Sequence, residues 1–272
     1  MIQEIFPHIY HNEYTPRPAM PEDVLFVITD KGILAGRSPE DRVILPRCGQ
    51  RQGQYLFSVD QQGYFLWEGE SLPETGEFQY LNSRTLRELV PDENLFACAV
   101  AESLWRWYGQ NRYCGKCASP MEKGTEERSL VCPVCGQTIY PKICPAVIVA
   151  ITHGDRLLLT KYAGRAFKRY ALVAGFNEIG ESIEETVHRE VLEETGLRVK
   201  NLRFYRSQPW VYTDSLLMGF FCELDGTDEI HRQESELSEA DWHSRDSLPE
   251  DYSKISLTGE MIEVFRRGKE PK

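Results

Sequence analysis

Residues 175–197 read Gly-Phe-Asn-Glu-Ile-Gly-Glu-Ser-Ile-Glu-Glu-Thr-Val-His-Arg-Glu-Val-Leu-Glu-Glu-Thr-Gly-Leu, and few folds accommodate that order. Ser182, followed three residues later by Glu185, makes a capping box, so a helix starts there. Ile183, Val187 and Val191 recur every fourth residue and define one buried stripe. Gly196 stands where a left-handed residue closes a helix. Glu190, Glu193 and Glu194 then share one side of the helix, at i, i+3 and i+4. Like charges this close destabilise a free helix unless cations sit among them, and hard carboxylate oxygens suit Mg²⁺ or Mn²⁺. Arg189 can reach Glu181 and hold the preceding loop against the helix. A solvated acidic face is the ordinary fate of a Glu-rich helix, but it explains neither Gly175 and Gly180 nor the place of Arg189.

The cysteines constrain a second region. Of eight, Cys48, Cys98, Cys144 and Cys222 are scattered, whereas Cys114 pairs with Cys117 and Cys132 with Cys135 across fourteen intervening residues. Two residues between thiolates let each pair wrap one side of a tetrahedral Zn²⁺. A thioredoxin-like redox pair would leave the second pair unexplained. Four thiolates fill the tetrahedron, so this zinc is expected to be structural. The spacer sets Glu122, Glu126 and Glu127 against Lys123 and Arg128, which is no basic face for nucleic acid, and a structural or dimer-supporting clip is expected.

Around these features the chain divides into residues 1–110, 111–140 and 141–272. The first part carries strand-like runs at Val24–Ile28, Ile33–Leu34, Tyr55–Phe57 and Tyr64–Trp67, then a helical pattern from Asn94 to Tyr108, which reads as a mixed α+β domain with no catalytic motif. The third has buried-strand runs at Ala146–Ile151 and Arg156–Thr160, a Gly-rich loop, the carboxylate helix, further strands and a final helix near Thr258–Arg266. A net charge of −11 argues against charge-driven binding to DNA or to an anionic membrane. No apolar run is long enough to span a bilayer, the start lacks signal-peptide character, and the cysteine usage suits a reducing compartment, so a cytoplasmic protein is expected.

The segment 175–197 resembles the Nudix box, G-x5-E-x7-R-E-U-x-E-E-x-G-U with U aliphatic, at each of its nine specified positions. That resemblance implies an α/β/α sandwich around a mixed sheet and hydrolysis of a nucleoside diphosphate linked to another group. It makes Glu190, Glu193 and Glu194 ligands of Mg²⁺ or Mn²⁺, Glu194 being central, with Arg189 and Glu181 the organising pair.

Ten residues past the box stands Ser207-Gln208-Pro209-Trp210, followed by Ser215. Beside a Nudix box this resembles the S-Q-P-W-P-F-P-x-S array of the NADH pyrophosphatase subfamily, which has the same order of parts: divergent N-terminal domain, four-cysteine zinc ribbon, catalytic domain. The resemblance covers about residues 84–265. It implies Glu236 as a late metal ligand or catalytic acid. Phe176 and Trp210 would stack the nicotinamide, Trp210 coming from the partner of a homodimer. Gln208, Ser215, Tyr140, Glu127 and the Thr258 backbone fall at nucleotide-contacting positions, and Arg87 at a family arginine of the site. It further implies in-line attack by water on one phosphorus of NAD(H), giving NMN(H) and AMP, with Glu194 and Glu236 both candidates to take the proton. Removal of NAD caps from RNA 5′ ends would use the same bond.

Two departures stand out. Val211-Tyr212-Thr213 replaces Pro-Phe-Pro, so the loop after Trp210 is expected to be less rigid and the enzyme less selective. Ala118 stands where glycine is common, with little consequence expected. The alternatives are a broader hydrolase of ADP-ribose or diadenosine compounds, and an inactive ligand sensor, which would be expected to have lost box glutamates.

Overall fold

A computed structural model describes the chain except residues 165–168, 251, 253, 254 and 272. The chain forms two compact units, one of Met1, 143–210 and 215–272, the other of 2–142 with the short segment 211–214. Among the described residues no helix is long and apolar enough to cross a membrane.

In the second unit, Gln54–Val59 and Gln62–Leu66 pair as a hairpin inside a four-stranded sheet that also holds Tyr10–His11 and Val24–Phe26. The apolar run at Val24–Ile28 supplies two sheets rather than one strand. Val24–Phe26 pairs with Gln62–Leu66, and Ile28–Thr29 turns away to pair with Gly32–Arg37. The helix Glu93–Gln110 starts at the Asp92 side chain, which accepts from the Leu95 N–H, and buries Leu95, Ala97, Cys98 and Ala101. Residues 110–140 add three short strands, Glu122–Lys123, Leu130–Val131 and Thr138–Ile139, with the middle one central. Arg128 fastens them to the N-terminal sheet: it donates to the Asn12 side chain at 2.8 Å and to the Leu56 carbonyl.

The first unit is built on a six-stranded sheet. Its strands are β1 (Cys144–His153), β2 (Arg156–Tyr162), β3 (Val173–Phe176), β4 (Val199–Trp210), β5 (Ser215–Leu224) and β6 (Leu237–Ser244). Its helices are α1 (Ile183–Thr195) and α2 (Leu257–Arg266). Part of the Gly-rich loop between β2 and β3 lies outside the described residues. The sheet runs β4-β5-β1-β2-β6, with β3 against the first half of β1. It is mixed, because β1 and β5 are parallel while the other pairings are antiparallel. β1 is buried along most of its length, and successive side chains enter opposite cores. Val147, Val149 and Ile151 pack with Val187 and Val191 of α1. Ile148 and Ala150 pack with Leu257, Met261, Ile262 and Phe265 of α2. A helix thus covers each face, which is the α/β/α sandwich expected from the resemblance.

Candidate active site

The helix α1 begins as its sequence requires. The Ser182 hydroxyl accepts from the Glu185 N–H, and the Glu185 carboxylate accepts from the Ser182 N–H at 2.7 Å. It ends at Gly196, with φ +73°. Between these stops Val187 and Val191 are fully buried, Glu190 and Glu194 are buried at the flank of the same stripe, and Glu193 stands on the exposed side.

Arg189 ties the loop to the helix. Its Nε donates to Glu181 Oε1 at 2.6 Å and its Nη2 to Glu181 Oε2 at 3.0 Å, a two-pronged charge-assisted pair. The same guanidinium donates to Glu190 at 2.6 Å, to Glu193 at 3.0 Å and to the Phe176 carbonyl at 2.9 Å. One cation therefore serves three carboxylates and fixes the end of β3. Glu181 is held down at about 2, chiefly by this arginine. Burial pushes Glu190 above the usual carboxylate range, and Arg189 opposes that rise. Asn177 completes the loop, donating to the Glu181 carbonyl and, at 2.8 Å, to the Thr186 hydroxyl.

The glycine at the head of the box has a steric cause. Gly175 lies directly across from Glu190, and a Cβ there would fall 1.9 Å from the carboxyl carbon. Any side chain would displace the carboxylate. The four candidate ligands differ in access. Glu194 is 1% exposed and Glu190 9%, whereas the Glu193 side chain is 54% exposed and Glu236 lies on the surface. The segment before β6 closes on the end of α1, where the Gln233 N–H donates to the Glu194 carbonyl at 2.9 Å and the His231 N–H to the Thr195 carbonyl at 2.8 Å. These bonds satisfy carbonyls that a helix end leaves over. They also bring Glu236 close enough to raise the Glu190 pKa. A donor set of hard carboxylate oxygens beside space reserved by a glycine fits a divalent cation such as Mg²⁺ or Mn²⁺.

The sulfurs of Cys114, Cys117, Cys132 and Cys135 all lie within 4.8 Å of one another, and no disulfide joins them. Cys114–Cys135 and Cys117–Cys132 are each 3.5 Å apart, close to the ~3.8 Å edge of a zinc–thiolate tetrahedron with ~2.3 Å bonds. The two knuckles are built alike. The N–H of Ala118 returns to the Cys114 carbonyl at 2.8 Å, and that of Gly136 to Cys132 at 3.0 Å. Both residues are left-handed, at φ +60° and +73°. Alanine at the first position is therefore a real departure, since a Cβ there costs about 1–2 kcal/mol. The Lys116 N–H points at the Cys114 sulfur and leads the pull of that thiol below its usual range, favouring the thiolate a metal needs.

The other sequence-derived positions fall into several places. Phe176 is 53% exposed at the end of β3, and Trp210 and Ser215 are register partners at the tip of the β4–β5 hairpin. Gln208 is fully buried, its amide donating to the Ile255 carbonyl at 3.0 Å and accepting from the Leu257 N–H at 2.6 Å. It fastens β4 to the start of α2, whose first turn holds Thr258. In the other unit, the Tyr140 hydroxyl donates to Glu127 at 2.6 Å, and both side chains are exposed. Arg87 lies over the Tyr212 ring at 4.3 Å.

The loop after Trp210 makes contacts that its sequence does not announce. Although its prolines are missing, it is pinned: Arg106 donates to the Val211 carbonyl at 2.9 Å and to Asp214 at 2.7 Å, and the Ser103 hydroxyl donates to Asp214 at 2.6 Å. Side chains of the helix Glu93–Gln110 hold it. Residues far apart in sequence supply these contacts, so no local motif announces them.

The family described as NUDIX domain matches residues 142–265, and that described as NADH pyrophosphatase zinc ribbon domain matches residues 110–140. A protein of Chromobacterium violaceum named NAD-capped RNA hydrolase NudC is 37% identical over 214 residues, covering 79% of this chain and 77% of that one. A protein of Stutzerimonas stutzeri with the same name is 33% identical over 240 residues, covering 88% of this chain and 86% of its own. Among solved structures, a Nudix hydrolase from Nitrosomonas europaea superposes with a TM-score of 0.50 at 22% identity, over 59% of this chain and 94% of that one.

Proposed function

The chain belongs to the Nudix hydrolase family, and from that premise we propose that it hydrolyses the diphosphate bond of NAD-type dinucleotides, both free NAD(H) and NAD at the 5′ end of RNA. The products are NMN(H), or its release from the RNA, and AMP or a 5′-monophosphate end. The observation that carries this reading is the Glu181–Arg189–Glu190–Glu193 network standing against the bare backbone of Gly175. Such a network gathers several carboxylates at one place, where a divalent cation would be held and would offset the repulsion between an anionic diphosphate and a chain of net charge −11.

Glu190, Glu193, Glu194 and Glu236 would hold Mg²⁺ or Mn²⁺. The metal, when bound, lowers the pKa of the attacking water and offsets charge on the bridging and leaving oxygens. The protein's own part is positional. Arg189 holds the loop and carries Glu190 and Glu193 on one guanidinium. Gly175 keeps side-chain bulk away from Glu190. The segment 231–237 delivers Glu236. Phe176 offers an exposed ring face for nicotinamide, and Trp210 a second one, contributed across a homodimer. Ser215, Tyr140, Glu127, Arg87 and the Thr258 backbone contact the nucleotide, while Gln208 acts from beneath by fixing β4. The four cysteines hold one structural Zn²⁺, and the enzyme works in the cytoplasm without DNA or membrane as partner.

The test is chromatographic product analysis with NADH, NAD⁺, ADP-ribose, diadenosine diphosphate and an NAD-capped RNA, with Mg²⁺ present. NADH should give NMNH and AMP, faster than NAD⁺, since the uncharged reduced ring desolvates more easily between aromatic faces. ADP-ribose as the best substrate, slowed by Trp210→Ala as much as NADH is, would replace this reading with a broader diphosphatase.

A further inference from the structure

We propose that Arg106, Ser103 and Asp214 are positioning residues for nicotinamide selectivity, acting through the backbone of the turn 211–214 on Trp210 and Ser215. The inference rests on Trp210 serving as a stacking face, as set out above. Trp210 and Ser215 are joined by this turn and pair with each other in register, so the conformation of four residues sets the aim of both. The turn is built around Asp214. Its backbone is left-handed, at φ +54°, a conformation that Asp adopts more readily than most residues. Its Oδ1 receives two donors, the Ser103 hydroxyl at 2.6 Å and Arg106 Nη2 at 2.7 Å. The ion pair is partly shielded, at 24% and 27% side-chain exposure, where a charge-assisted bond outweighs its surface counterpart. Arg106 also takes the Val211 carbonyl, so one guanidinium grips the first and last residues of the turn. Arg87 lies over the Tyr212 ring between them.

A turn held at both ends and in the middle has few conformers to lose when a ring is bound, and this preorganisation is what the missing prolines would otherwise provide. Loosening it should therefore weaken binding of the nicotinamide half while leaving the carboxylate machinery untouched. The effect belongs in KM for substrates that carry nicotinamide.

The experiment compares kcat and KM for NADH and ADP-ribose in Arg106→Ala, Asp214→Gly, Ser103→Ala, Trp210→Ala and the double variant Arg106→Ala/Trp210→Ala, each checked for zinc content and thermal midpoint. Asp214→Gly tolerates the left-handed backbone while it removes the acceptor and loosens the turn. Ser103→Ala removes one donor without touching charge, and remains informative if the other variants fail to fold. Arg106→Ala and Asp214→Gly should lower the NADH to ADP-ribose ratio of kcat/KM about tenfold, mainly through KM, and Ser103→Ala about twofold. The double variant should lose no more selectivity than Trp210→Ala alone. A ratio lowered by Trp210→Ala but unchanged in the three turn variants overturns the positioning role and leaves the stacking reading intact. A ratio unchanged by Trp210→Ala removes the stacking reading, and the positioning role with it. Equal losses on both substrates make the contacts merely structural and also overturn the proposal.

Discussion

In the ribbon, four sulfurs lie within 4.8 Å of one another before any ion is considered, whereas the carboxylates of Glu190, Glu193, Glu194 and Glu236 form no comparable group among the described residues. The contrast follows from what holds each set. A knuckle places two thiols on one tight turn, with backbone N–H groups aimed at sulfur, so each half of the site is preformed by a few residues. The glutamates come from separate turns of a helix and from a distant loop, and their mutual repulsion is relieved by Arg189. A closed set of four soft ligands makes a permanent structural centre. A spread set of hard ligands, partly neutralised by a side chain, makes a site that ions and phosphates can enter and leave.

The largest effect that separates the two is metal removal. Brief EDTA treatment should abolish hydrolysis, and Mg²⁺ or Mn²⁺ should restore it without added zinc, while elemental analysis still finds about one zinc per chain. Recovery that requires zinc would collapse the distinction. Next comes Glu194→Gln, which should lower kcat by about 10² or more at unchanged zinc content and thermal midpoint, because Glu194 is the most buried of the carboxylates. Near-normal turnover in that variant would take Glu194 out of the mechanism. Gly175→Ala should push the Glu190 carboxylate aside and cost roughly tenfold to a hundredfold in kcat, with the ribbon unaffected. Full activity would mean that the close approach has no catalytic consequence.

Smaller effects probe each site's stability. Glu181 is held at about 2, against an ordinary value of 4.5, so its pairing with Arg189 contributes fully above pH ~4.5 and is lost as pH falls towards 2. Unfolding midpoints across that window should fall more steeply for the wild type than for Glu181→Gln, and parallel curves would contradict the pairing. In the ribbon, Ala118→Gly relieves a left-handed alanine and should stabilise by about 1 kcal/mol, read as slower zinc release to a chelator. Faster release would show that Ala118 packs in a way its backbone angle does not reveal.

How much of this was readable beforehand depends on the span of each contact. Ser182 with Glu185, the stop at Gly196, the Arg189–Glu181 clamp and the two cysteine knuckles all act within about two helical turns or one tight turn. Their residue spacing is their geometry, and the sequence by itself determined them. The buried stripe of α1 was legible for the same reason. The sequence could name Gly175 as unexplained but not say that Glu190 lies across from it, because that approach needs β3 seated beside α1. Only the tertiary structure delivered Glu236 to the neighbourhood of Glu190, through backbone bonds from Gln233 and His231 to the end of α1. It alone turned Gln208 into a buried fastener and tied Asp214 to Arg106 across 108 positions of the chain. Such pairings leave no periodic trace. They arise when independently folded elements meet, and single side chains then satisfy whatever polar groups that meeting buries.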